Sequence, residues 1–270
     1  HSLAALYDPD EFRAQVALHD ELIKKHFGAT PRVFRNTELI YRNDIARMVE
    51  DMGYEAILTE GADHILGWRS PNYMYQPSSC TKLKLLLKNY RLSDDIAFRF
   101  SNRGWDQWPL TAEKFAGWAH AVNGAGELIN LFMDYETFGE HQWAETGIFD
   151  FMEALPAAVF ADPNFDFVTP SQAAERYSPI ARIDVPNAIS WADVERDLTA
   201  WIGNDMECDA IETVYSLKSW ATATTASCAP GGGCRRRIIS TTCAPNGSPT
   251  ATCTNTSIPT ARPTTPTSIT

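Results

Sequence analysis

The sequence predicts an α/β protein built on a parallel sheet, with its strands arranged as part of a (β/α) barrel. Three observations lead there. Strand-like and helix-like segments alternate at roughly 25–35 residues, the spacing of βαβ units. The apolar runs Leu83–Leu87 and Leu128–Met133 suit strands buried on both faces. Polar residues recur just after strands, at Glu38, Glu60 and Asp134, the positions that face the mouth of such a barrel.

The elements follow in order. Asp8-Pro9-Asp10 opens a helix to about Phe27, carried by Phe12, Val16, Leu22, Ile23 and Phe27 and stopped by Gly28. A short strand over 31–35 ends at Asn36-Thr37-Glu38. A helix over 43–52 ends at Gly53, and a strand over 54–58 ends at Thr59-Glu60. Helices are expected over 111–122 and 147–160, strands over 83–87, 128–133 and 166–168. A helix begins at Thr169-Pro170-Ser171-Gln172, with proline in its first turn. A long final helix is expected over 193–217. The count falls three or four strands short of a closed barrel, as for a chain cut at its start.

The 270 residues are 44% hydrophobic, enough for one sizeable core, and no run of 18 apolar residues offers a membrane span. A net charge of −11 disfavours electrostatic binding of nucleic acid. No Gly-x-Gly-x-x-Gly follows a strand and no P-loop is present. All 34 acidic residues lie in the first 212 positions. Residues 1–217 therefore read as a globular body, and 218–270 as a Thr/Pro/Ser-rich, disordered tail holding Cys228, Cys234, Cys243 and Cys253. An O-glycosylated stalk and a disulfide-stapled appendix are both consistent with such a tail. The favoured reading is out-of-frame translation, because a one-base shift can turn its codons into aromatic, charged, foldable text. Cys80 and Cys208 read as reduced structural thiols.

Two carboxylates stand out for chemistry. A charged group at the end of an apolar strand is costly unless it is used. Glu38 and Asp134 come from different strands and can converge at the mouth. At roughly 5–5.5 Å they would form a retaining glycosidase pair. The competing reading makes them ion-paired or capping groups, with Arg35 and Arg99 as partners. Trp68, Tyr73, Tyr75, Trp105, Trp108, Tyr135, Trp143 and Trp201 lie in loops or near strand ends, where rings can stack on sugar faces. Asp63-His64 is a weak metal signal, with no second histidine nearby. It leaves a metal-dependent deacetylase as a distant rival.

Two segments carry a family resemblance. Phe34-Arg35-Asn36-Thr37-Glu38-Leu39-Ile40-Tyr41 and Phe132-Met133-Asp134-Tyr135-Glu136-Thr137-Phe138-Gly139-Glu140-His141 resemble conserved regions of glycoside hydrolase family 57, closest to its α-amylase-like subgroup. Trp201-Ile202-Gly203-Asn204 resembles the fifth conserved region, and His1-Ser2-Leu3 the end of the second. The resemblance covers residues 1–217 and lacks the family's His-Gln-Pro region. It implies a (β/α)7 incomplete TIM-like barrel followed by a helical region. It further implies retaining cleavage of α-glucosidic bonds in starch-like α-glucans or maltooligosaccharides, with no cofactor and no metal. Glu38 takes the nucleophile position and Asp134 the general acid/base position. His1, Arg35, Trp68, Glu136, His141, Trp201 and Asn204 are the expected substrate-binding residues. A 4-α-glucanotransferase, a branching enzyme and a non-catalytic carbohydrate-binding relative are the alternatives. The resemblance suggests a cytoplasmic protein; a genuine Thr-rich tail would point to secretion.

Overall fold

The structure, a computed structural model, describes residues 3–226, with side chains to Leu217. The tail residues 227–270, with their four cysteines, lie outside the described residues, as does His1. Helix α1 (Ala4–Tyr7) leads into α2 (Pro9–Phe27), whose ends are written in sequence. The Asp8 carboxylate accepts from Glu11 N–H, and proline opens the first turn. Asp10 and Glu11 sit at the positive end of the helix, Lys24, Lys25 and His26 at the negative end, and Gly28 closes it at φ +67°. Strand β1 (Val33–Arg35), helix α3 (Asn43–Asp51), strand β2 (Ala56–Thr59) and helix α4 (Asp63–Leu66) follow. Next come β3 (Gln76–Pro77), β4 (Lys84–Leu87), α5 (Tyr90–Asp94) with a wider turn over Asp95–Arg99, and α6 (Ala112–His120). Helices α7 (Ile148–Phe160) and α8 (Pro170–Arg176), strand β5 (Arg182–Ile183), and helices α9 (Thr199–Ile202) and α10 (Asp205–Ala226) complete the described chain.

Strands β1, β2 and β4 form a parallel sheet in that order, with Phe34 opposite Ile57 and Ile57 opposite Leu85. Burial on both faces explains the apolar runs. Ile57, Leu85 and Leu87 join Phe12, Ile45 and Val49 in one core, while Ala56 and Leu86 pack with Met74, Ala173 and Ala174 on the other side. The sheet is thus covered by α2 and α3 on one face and by α8 on the other. A third core joins α6 and α7 through Phe115, Ile148, Phe151 and Leu155, with Ile96 and Phe100. Strands β3 and β5 pair parallel as a separate two-stranded ribbon.

Parallel strands, covering helices and the α/β class follow the expectation. Three segments do not. Residues 128–133 run extended and alternate, Leu131 and Met133 toward the α6–α7 core and Leu128 and Phe132 toward the α8 side, but they join no ladder. Isolated hydrogen bonds, some through side chains, hold it instead. Asn130 Nδ2 donates to Leu87 O (2.9 Å), Asn89 N to Asn130 O (2.9 Å), and Phe132 N to Ser93 Oγ (3.2 Å). Residues 166–168 form no strand either; Thr169 N donates to Gln172 Oε1 in the capping box of α8, ending the extended run. The expected helix over 193–217 is broken, because Asp193 and Arg196 have positive φ (52° and 55°) and Asn204 starts α10 afresh by accepting from Glu207 N.

Candidate active-site cleft

The C-terminal ends of β1, β2 and β4 carry Glu38, Glu60 and Lys88. After β1 the chain turns through a tight helical turn at Thr37–Leu39, in which Glu38 (φ 56°) and Leu39 (φ 49°) adopt the left-handed region. Such strain in side-chain-bearing residues is held only where the surroundings over-determine it. Here the buried Asn36 donates to Ile40 O (2.9 Å), and Trp191 N donates to Glu38 O (3.2 Å). The Trp191 indole N–H then donates to Glu38 Oε2 at 3.0 Å, gripping the carboxylate from a segment 153 positions away.

Trp191 is itself fixed by charge. Arg35 lies over its ring at 4.6 Å and Lys88 Nζ at 5.1 Å. Arg196 donates to Trp191 O (2.7 Å). Lys88, Glu60, Asp94 and Arg196 form a buried quartet beneath it. Lys88 Nζ is 3.1 Å from Asp94 and 3.7 Å from Glu60, while Arg196 is 3.3 Å from Asp94 and 3.8 Å from Glu60. Glu60 is only 1% exposed and Lys88 4%. Burial pushes the Glu60 carboxyl above its usual range, and the Lys88 and Arg196 charges oppose that. Two cations against two carboxylates make the burial tolerable, whereas one removed partner would leave a stranded charge. Gly61 completes the fit, since a Cβ there would lie 2.2 Å from Lys88 O.

The opposite wall is irregular. Asp134 ends the extended 128–133 segment and opens the turn Tyr135–Thr137. Burial raises the Asp134 carboxyl; the negative charges of Glu136 and then Glu38 raise it further, and Arg35 and His141 pull it down. Asp134, His141, Trp191, Lys88 and Phe132 line one cleft of about 220 Å³. The sheet-end wall and the irregular wall therefore face a common space.

The expected binding residues divide. His141 lines this cleft, and the charges of Glu136 and Arg35 act on its Asp134 carboxyl. Trp68 is exposed, with Arg69 over its ring at 5.5 Å, and it lines neither this cleft nor the neighbouring one around Trp143. Trp201 packs against the main core and Asn204 caps α10. Of the ion partners the sequence offered, Arg99 pairs with Asp95 (2.5 Å) and Arg35 stacks on Trp191. Asp63 is engaged by Tyr90 Oη (2.7 Å) and Arg91 (3.4 Å). Sequence reasoning missed Trp191, Lys88 and Arg196, whereas Leu92-Ser93-Asp94-Asp95 shares in the family resemblance. Lys88 alone had a usable signal, since it follows an apolar strand just as Glu38 and Glu60 do.

A parallel sheet whose strand ends carry Glu38, Glu60 and Lys88, beside a cleft lined by Asp134, His141 and Trp191, defines an α/β protein with a candidate active site at the sheet's C-terminal edge. The comparisons with known proteins narrow the class. The family model for glycosyl hydrolase family 57 matches residues 1–186, and the chain belongs to that family. A protein from Methanocaldococcus jannaschii described as "Putative alpha-amylase" is 52% identical over 220 residues, covering 80% of this chain and 46% of that protein. The chain thus spans about half the length of this curated relative. Two solved structures share the fold. The 4-alpha-glucanotransferase from Thermococcus litoralis has a TM-score of 0.54 and 14% identity, covering 77% of this chain and 31% of that one. An exo-type maltose-forming amylase from Pyrococcus sp. ST04 has a TM-score of 0.51 and 13% identity, covering 68% and 34%. Among the described residues no helix is long and apolar enough to cross a membrane.

Proposed function

We propose that this chain carries the catalytic cleft of a retaining glycosidase acting on α-glucosidic bonds of starch-like α-glucans or maltooligosaccharides. Glu38 is the nucleophile and Asp134 the general acid/base. The observation that supports this most is Trp191, which hydrogen-bonds Glu38 and lines the cleft into which Asp134 opens. Glu38 Oε attacks the anomeric carbon while Asp134 passes its proton to the departing glycosidic oxygen. A glycosyl ester forms on Glu38 and its negative charge disappears. Asp134 then takes a proton from water as that water attacks the anomeric carbon, and Glu38 leaves as carboxylate.

The electrostatics fit the division of labour. The Trp191 indole N–H holds one Glu38 oxygen in place at 3.0 Å, so the carboxylate is aimed before substrate arrives. Asp134 has burial and two negative neighbours, which favour the protonated form needed at the start of the cycle. Arg35, Glu136 and His141 are substrate-binding groups in this reading, and residues 1–217 are the catalytic portion of the chain.

Cleavage of maltooligosaccharides by the wild-type chain, Glu38→Gln and Asp134→Asn tests the proposal. Each variant is expected to lose about a thousandfold or more in kcat/KM. Full activity in either would overturn the assignment. Products analysed in the same assay separate hydrolysis from transfer, because transfer yields chains longer than the substrate.

A further inference from the structure

The cleft does not end at His141. That residue also lines a second, larger opening of about 530 Å³, walled by Arg103, Trp108, Trp143, Glu145 and Thr146. We propose that this opening is an additional α-glucan subsite, holding the outer glucosyl units of the chain whose scissile bond lies at Asp134. The inference rests on the glycosidase reading and extends it to residues outside the two matched catalytic segments' carboxylates.

The argument starts from exposure. Trp108 is 42% exposed and Trp143 63% exposed, on separate loops that meet at this opening. Exposed indole surface is costly in water, and its flat faces suit the C–H faces of pyranose rings. Both are held in advance. The Trp143 indole N–H donates to Glu140 O (2.5 Å), and its carbonyl accepts from Thr146 N (3.0 Å) and Thr146 Oγ1 (2.6 Å). The Trp108 loop is pinned by Lys114 Nζ, which donates to Gln107 O (2.8 Å) and Pro109 O (2.9 Å). Trp108 N donates to Trp105 O (3.0 Å), and the Trp105 ring packs edge-on against Trp118. The Arg103 guanidinium lies 5.7 Å from the Trp108 ring centre. Rings fixed before binding lose little freedom when a ligand arrives.

The rest of the wall is polar. Arg103, Glu145, Thr146 and His141 offer donors and acceptors for sugar hydroxyls. A volume of about 530 Å³ lies within the usual range for small-ligand pockets. Continuity selects the occupant. Because His141 borders both openings, a linear ligand leaving the Asp134 cleft past His141 enters this one, so the occupant is the far end of the same α-glucan.

The test is isothermal titration calorimetry of the full chain with maltotriose and with maltoheptaose, each protein carrying Glu38→Gln so that the sugars bind without turnover. The parent with Glu38→Gln alone is expected to bind maltoheptaose at least tenfold more tightly. Adding Trp143→Ala or Trp108→Ala is expected to bring the ratio of the two affinities toward one. Trp143→Tyr and Trp108→Tyr, which keep an aromatic face, are expected to retain most of it. Circular dichroism confirms that the variants fold. Equal affinities in the parent, or an alanine variant with the full ratio, would overturn the subsite and leave the glycosidase reading standing. A parent that binds neither sugar would remove both.

Discussion

The two walls of the cleft are built on different principles. The Glu38 wall stands on parallel strands. Its carboxylate is presented by a strained turn, gripped by Trp191, and underlain by four buried charges. The Asp134 wall has no ladder at all; it hangs from β4 by Asn130 and from α5 by Ser93. The difference matches the work proposed for each acid. A nucleophile must be aimed at one carbon, so rigid geometry serves it. An acid/base must change protonation twice per cycle, so its surroundings matter more than the regularity of its backbone.

Breaking the buried quartet gives the largest expected effect on stability. Lys88→Met leaves Glu60 and Asp94 buried with Arg196 as their remaining partner, and is expected to cost about 3 kcal/mol or more in urea denaturation. Adding Glu60→Gln to that variant should recover part of the loss. If Lys88→Met costs no more than a surface substitution, the sheet-end wall is not the rigid one.

The second prediction sharpens the electrostatic half of the comparison. In the proposed cycle Asp134 acts first as an acid, so activity should fall as pH rises through its pKa. Glu136 is the largest charge raising that pKa, and Glu136→Gln is expected to move the high-pH limb of kcat/KM to lower pH. Arg35 lowers it, so Arg35→Gln should move the same limb upward. Stopped assays over a pH series would show both, and limbs that stay fixed would detach Asp134 from the acid role. The smallest effect belongs to the irregular wall. Asn130→Ala removes one side-chain donor to Leu87 O and should cost about 1 kcal/mol, measured by the same denaturation.

Much of the sheet-end wall was legible in the sequence. Short apolar runs ending in a polar residue identified β1, β2 and β4, and Glu38 and Asp134 stood out as carboxylates after such runs. The run over 128–133 misled because an extended, alternating segment looks the same whether its backbone joins a ladder or is held by isolated bonds such as Asn89 N to Asn130 O and Phe132 N to Ser93 Oγ. Trp191 and Arg196 were not legible, since they reach the site from more than 150 positions beyond Glu38 through a loop whose left-handed turns have no glycine to announce them. The aromatic inventory divides in the structure: Trp108 and Trp143 line an opening, whereas Trp201 packs against the core.

The most direct measurement is to trap the covalent intermediate. A 5-fluoro-α-glucosyl fluoride slows release of the sugar from a retaining nucleophile, and peptide mass spectrometry then locates the label. The account predicts a single labelled peptide with the sugar esterified to Glu38, and none when Glu38→Gln is treated alike. A label on another carboxylate, or turnover with no labelled peptide and inverted product, would contradict it.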